Sequence, residues 1–215
     1  MTEPHPATPA AAVPSTIWAC GADALDPNDF WPELVLRRAI TEFSRPAARV
    51  RLLAATKAHQ LAARRAHTQL ADTGREISTG TLSDSPAARG EADLIIASLL
   101  PDLTHPHSAD TYTRLALTAA DQLRGGAVLA VLTRTGLTPT NVLDDATGPV
   151  VAAAQTADLL YMSHIVATPI RDDTIPAPEH RGSPENHRHH VAHIDLTVFI
   201  RPDDQNLAAA VGHAA

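Results

Sequence analysis

This 215-residue sequence predicts an α/β fold in three layers, with helices on both faces of a mostly parallel sheet. Three observations predict it. Residues 91–134 read as a buried strand, a loop, an amphipathic helix and a second buried strand, which together make one βαβ unit. On either side of that unit, apolar runs of strand length alternate with segments of helical period. The last run, residues 190–200, places Ala192, Ile194, Leu196, Val198 and Ile200 on one face, as an antiparallel strand closing the sheet edge would.

Taken in order, residues 1–15 are rich in Pro and Ala and read as a disordered tail. Residues 15–20 are a short apolar segment, suited to an edge strand or a lid. A helix over 32–43 follows, its Pro32 in the first turn where a missing N–H is harmless. Val35, Leu36, Ala39, Ile40 and Phe43 form its apolar face, and Arg37, Arg38, Thr41 and Glu42 its wet one. Residues 49–55 read as the first core strand, and 56–71 as its helix, patterned weakly through Ala58, Leu61, Ala62 and Leu70 and closed by Gly74. Residues 75–78 suit a short second strand and 79–90 a loop.

Within the βαβ unit, residues 94–97 are continuously apolar, as a strand covered on both faces requires. Tyr112, Leu115, Ala116, Ala119, Ala120 and Leu123 recur at the helical period, and Gly125-Gly126 turns the chain into a strand over 127–132. A polar loop over 135–147 precedes a helix led by Pro149, with Val150, Val151, Ala154 and Ala157 inward. Residues 161–168 read as a strand and 169–189 as a loop. The division is a tail at 1–15, one domain at 16–202 and a second tail at 203–215.

Composition narrows the function classes. With aromatics at 3%, the core must be built from Ala, Val, Leu and Ile. A net charge of -7 disfavours broad attraction to nucleic-acid backbones. The single cysteine, Cys20, excludes an internal disulfide and fits a reducing compartment; beside Trp18 it reads as packing rather than a nucleophile. No basic leader opens the sequence and no apolar run approaches the ~20 residues that span a bilayer. These features predict a cytoplasmic protein with no membrane partner, and leave a homodimer open.

Several segments carry a family resemblance. Phe30-Trp31-Pro32-Glu33-Leu34 and Ser44-Arg45-Pro46, Ala92-Asp93-Leu94-Ile95-Ile96-Ala97, Leu123-Arg124-Gly125-Gly126-Ala127-Val128-Leu129 and Val198-Phe199-Ile200-Arg201-Pro202 occur in an order that resembles the class I S-adenosylmethionine-dependent methyltransferases, and among them the DNA amino-methyltransferases. The resemblance covers residues 31–202 and implies a three-layer Rossmann-like methyltransferase fold, with an antiparallel strand near the C-terminus. It implies S-adenosylmethionine as cofactor, at Ala54, Ala55 and Thr56, with Glu76 as the acid facing the ribose and Ser98 nearby. Ser98 and Pro101 occupy the position of the family's catalytic motif.

Both diagnostic motifs depart from the family pattern. The loop after the first core strand holds Ala54-Ala55-Thr56-Lys57-Ala58-His59, without the glycines that let a backbone approach the cofactor. The Asp/Asn-Pro-Pro-Tyr/Phe position holds Ser98-Leu99-Leu100-Pro101, with no aromatic to stack on a flipped base. These losses predict a degenerate, catalytically impaired or inactive methyltransferase-like protein acting as a binding or regulatory module. The alternative is an active enzyme with a diverged cofactor loop, working on DNA, a small molecule or a protein. An open cleft beside Thr56 and Ser98 would favour the second, and a cleft plugged by Leu99 and Leu100 the first. A different nucleotide binder is disfavoured, because no Gly-x-Gly-x-x-Gly is present.

One polar constellation remains. Glu185, His187, His189, His190, His193 and Asp195, with His164 and His180 in reach, suggest a zinc-like site. Their spacing matches no zinc motif, and a solvated loop leading into a strand explains them as well, so no metal is assigned.

Overall fold

The computed structural model describes residues 16–23, 25–26, 28–82, 89–100, 108–137, 143–175 and 193–203. The tails expected at 1–15 and 203–215 lie outside them, apart from Asp203. Among the described residues the elements run β1 Ile17–Ala19, α1 Glu33–Phe43, β2 Arg49–Ala54, α2 Lys57–Gln69, β3 Glu76–Thr81, β4 Ala92–Ser98, α3 Ala109–Gln122, β5 Leu123–Thr133, β6 Gly136–Leu137, β7 Leu143–Asp144, α4 Thr147–Thr156, β8 Leu160–Thr168 and β9 Ile194–Ile200. Seven strands form one sheet in the order β1-β8-β9-β5-β4-β2-β3. All its neighbours are parallel except β9, which runs antiparallel to both β5 and β8. The expected fold class holds: a mostly parallel sheet with an antiparallel strand near the C-terminus.

Strand alternation divides the core in two. Val50, Leu52, Leu94, Ile96, Ala130, Leu132, Leu196 and Val198 pack under α1 and α2. Leu53, Ile95, Ala97, Leu129, Val131 and Phe199 pack under α3 and α4. Central strands are covered on both sides, which is why β4 and β5 read as unbroken apolar runs.

Four details differ from the sequence reading. The buried face of α2 is His59, Ala63 and Ala66, while Leu61 is exposed; alanines let the helix lie close to the sheet, and one large side chain misleads the pattern. The strand over β9 has no wet face: Asp195, Thr197 and Phe199 are as buried as their neighbours, because β5 and β8 flank it inside the sheet. Strand β3 extends from Glu76 to Thr81, beyond the short segment expected. Gly125-Gly126 is a bulge within β5 rather than a turn before it, since pairing jumps from Ala92↔Leu123 to Leu94↔Val128 and Gly126 takes φ 75°.

Two polar contacts fasten the amino ends of the strands. The guanidinium of Arg201 donates to the carbonyls of Ala120 and Leu123, satisfying the last turn of α3. The carboxylate of Asp93 accepts from the Arg49 amide at 2.8 Å and from the Arg124 guanidinium. Burial alone would raise the Asp93 carboxyl, but the Arg49 amide, the Arg124 hydrogen bond and both arginine charges hold it below the ordinary value. A lowered folded-state pKa stabilises above the unfolded value, and the contribution disappears as pH falls through the folded one. Replacing Asp93 by Asn is therefore expected to flatten the loss of stability that wild type shows below about pH 4. Chemical denaturation across that range checks it, and parallel pH profiles would refute the assignment.

Candidate functional site

In an open α/β sheet ligands collect outside the carboxyl ends of the parallel strands. Here Ala54 ends β2 and Ser98 ends β4, side by side in register. Ala54 is fully buried, Ala55 half-buried and Thr56 exposed. Thr56 caps α2, its hydroxyl accepting from the His59 amide at 3.3 Å. No residue from 54 to 59 takes a positive φ, so the chain makes an ordinary strand-to-helix turn here.

The space above these ends is filled by the segment before α1. The Ser98 hydroxyl is inaccessible to solvent; it donates to the Phe30 carbonyl at 2.6 Å and accepts from the Leu100 amide at 3.3 Å. The Phe30 ring lies 4.4 Å from that of His59, a residue buried in the first turn of α2. Trp31 is buried as well, and its indole N–H donates to the His59 carbonyl at 2.9 Å. Leu99 and Leu100 turn to opposite sides and enter the two cores. The expected plug of Leu99 and Leu100 is therefore not what lies over these strand ends; among the described residues Phe30 and Trp31 do.

Beyond β5 the same segment is held a third time. Arg134 is 5% exposed and donates to the Asp26 carbonyl at 3.4 Å. Burial lowers its pKa, while the charges of Asp29 and Asp26 work in the opposite direction. Ser98, His59 and Arg134 thus tie Phe30, Trp31 and Asp26 to the ends of β4, β2 and β5.

Other expected site residues fall elsewhere. Glu76 starts β3 opposite Arg49, at the far end of the sheet from Ala54, and pairs with the Arg49 guanidinium at 3.8 Å. The ribose-facing role is corrected by that register: Thr81, not Glu76, lies beside Ala54. Pro101 lies outside the described residues. Cys20 is buried, which pushes its thiol pKa up, and it packs against the α1 side of the core. Arg37 is engaged by Glu33 and Asp72, both at 2.8 Å, and Arg38 stacks its guanidinium over Trp18.

Of the histidine constellation, His164 and His193 are described, and both meet Asp195. Their Nε2 atoms lie 2.9 and 3.4 Å from its two oxygens, and the Thr135 hydroxyl donates to it at 3.3 Å. Asp195 is buried, so this is a hydrogen-bonded buried carboxylate. His180, Glu185, His187, His189 and His190 lie outside the described residues. Among the described residues no group of three or more His, Cys, Asp or Glu side chains is placed to hold a metal ion.

Sequence reading missed the roles of Phe30, Trp31, His59 and Arg134 in filling the crevice. A signal was present: in a chain with 3% aromatics, Phe30 and Trp31 stand together immediately before a helix.

No family model matches the sequence, and no curated protein matches it. Solved structures do. A chain of the Haloferax volcanii complex between the Trm112 methyltransferase activator and its methyltransferase matches with a TM-score of 0.50 at 13% identity, over 78% of this chain and 88% of that one. The geranyl diphosphate C-methyltransferase of Streptomyces coelicolor A3(2), solved with Mg2+, geranyl diphosphate and S-adenosyl-L-homocysteine, matches at 12% identity and a TM-score of 0.48, over 79% of each chain. Strand order, the inserted antiparallel β9 and the Haloferax match agree: this chain has the Rossmann-like fold of the class I methyltransferases.

Proposed function

We propose that this protein is a methyltransferase-fold chain, related to the DNA amino-methyltransferases, that has lost catalysis and acts as a binding or regulatory module. The observation that carries this reading is the filled crevice, with Ser98 sealed beneath Phe30. The residues present disfavour S-adenosylmethionine. A close backbone approach needs glycine or left-handed geometry after β2, and neither exists from 54 to 59. Among the described residues, Thr81 and not an acid stands at the carboxyl end of β3, where a ribose contact would be made.

Base methylation is disfavoured for the same reasons. A protein partner, a second copy of this chain included, suits the net charge of -7 better than a nucleic acid does. Isothermal titration with S-adenosylmethionine and S-adenosylhomocysteine tests the proposal. The expected result is no saturable heat at micromolar protein. Micromolar binding would overturn it in favour of an active methyltransferase with a diverged cofactor loop.

A further inference from the structure

The second feature with ligand chemistry lies at the opposite end of the sheet, on the α3 side of β2 and β3. Alternation along the paired strands puts Arg49, Arg51, Glu76 and Ser78 on this face. A cavity of about 80 Å³ opens here, lined by Arg49, Arg51, Ser78, Glu91 and Gln122.

Two of these side chains carry buried polar atoms that make no hydrogen bond. Gln122 closes α3 and is 4% exposed, yet its Oε1 accepts no hydrogen bond. The Nε of Arg51 is buried and donates none. Buried polar groups are costly to leave dry, so these two atoms call for a polar occupant. Arg49 is shared between Glu76 at 3.8 Å and Glu91 at 3.6 Å, whereas Arg51 makes no ion pair among the described residues. Two arginines meet two glutamates here, and among the described residues Arg51 is the one that neither glutamate pairs with. Gly80 makes room for it: a Cβ there would stand 2.2 Å from Nη2 of Arg51 and 2.8 Å from its Nε.

We infer that this cavity binds a small oxyanion bearing a hydroxyl, of which hydrogenphosphate is the simplest. Arg51 donates Nε–H to an anionic oxygen, and the P–OH donates to Oε1 of Gln122. A carboxylate or sulfate satisfies the arginine alone; a hydrogenphosphate satisfies both. The inference is independent of whether the crevice above β2 and β4 binds S-adenosylmethionine.

The test is titration of the full chain at pH 7 with inorganic phosphate and with sulfate, which has matching size and no hydroxyl. Phosphate is expected to bind saturably at one site, and sulfate at least tenfold more weakly. Arg51→Met should weaken phosphate at least tenfold. Gly80→Ala, which keeps the arginine but displaces its guanidinium, should do likewise. Gln122→Met should erase the preference for phosphate over sulfate. Thermal melts without ligand show whether each variant folds. Absence of saturable phosphate binding, equal binding of sulfate to wild type, or unchanged binding in a folded Arg51→Met chain would each overturn the inference, leaving the cavity to water.

Discussion

Replacing Trp31 by Ala is expected to destabilise this protein by about 3–5 kcal/mol, the range for truncating a fully buried large aromatic. Trp31 is 3% exposed, belongs to the α1 side of the core, and loses its indole hydrogen bond to His59 in the same step. For a chain of this length that loss lowers the melting temperature by on the order of 10 °C. Denaturant titration of the variant and wild type measures it directly. A change under about 1 kcal/mol would mean that the segment over the crevice is held by something other than this side chain. The variant also separates two causes of lost cofactor binding. If the missing glycines exclude S-adenosylmethionine, loosening the plug restores no binding; if Phe30 and Trp31 alone exclude it, titration heat appears.

The second large effect belongs to Asp195. Ala at this position removes the acceptor for His164, His193 and the Thr135 hydroxyl together. The expected loss is about 2 kcal/mol, because both histidines are over a third exposed and water recovers part of what each gives up. Asn keeps one acceptor oxygen in nearly the same volume, so Asp195→Asn should lose roughly half as much. Equal losses for the two substitutions would indicate that volume rather than hydrogen bonding matters at this site. The same pair of variants tests how β9 is held at its start, where Asp195 faces Thr133 of β5 on one side and Val166 of β8 on the other.

What the residues disclosed, and what they did not, follows from range. Helix α1 was legible from Pro32 and the spacing of Val35, Leu36, Ala39 and Ile40, all of which are buried. Strands β4 and β5 were legible because a strand covered on both sides must be apolar throughout. The face of α2 was not, because alanine-rich helices carry too little contrast to orient themselves. Glu76 was misplaced for a related reason: β3 is weakly apolar, so its length, and therefore which of its ends Glu76 occupies, was settled by pairing with β2.

The loop after β4 returns a comparable split. By itself the sequence determined that Ser98-Leu99-Leu100 lacks the groups for base methylation and that β2 is followed by no glycine, since residue identity alone sets those chemical limits. Only the tertiary structure decided what became of the crevice. Phe30 precedes Ser98 by 68 residues, and His59 follows Trp31 by 28. Contacts over such separations carry no local periodicity, so no window of sequence contains them. They arise when the sheet brings the ends of β2, β4 and β5 together and leaves a hydrophobic gap that the nearest free aromatic pair can bury.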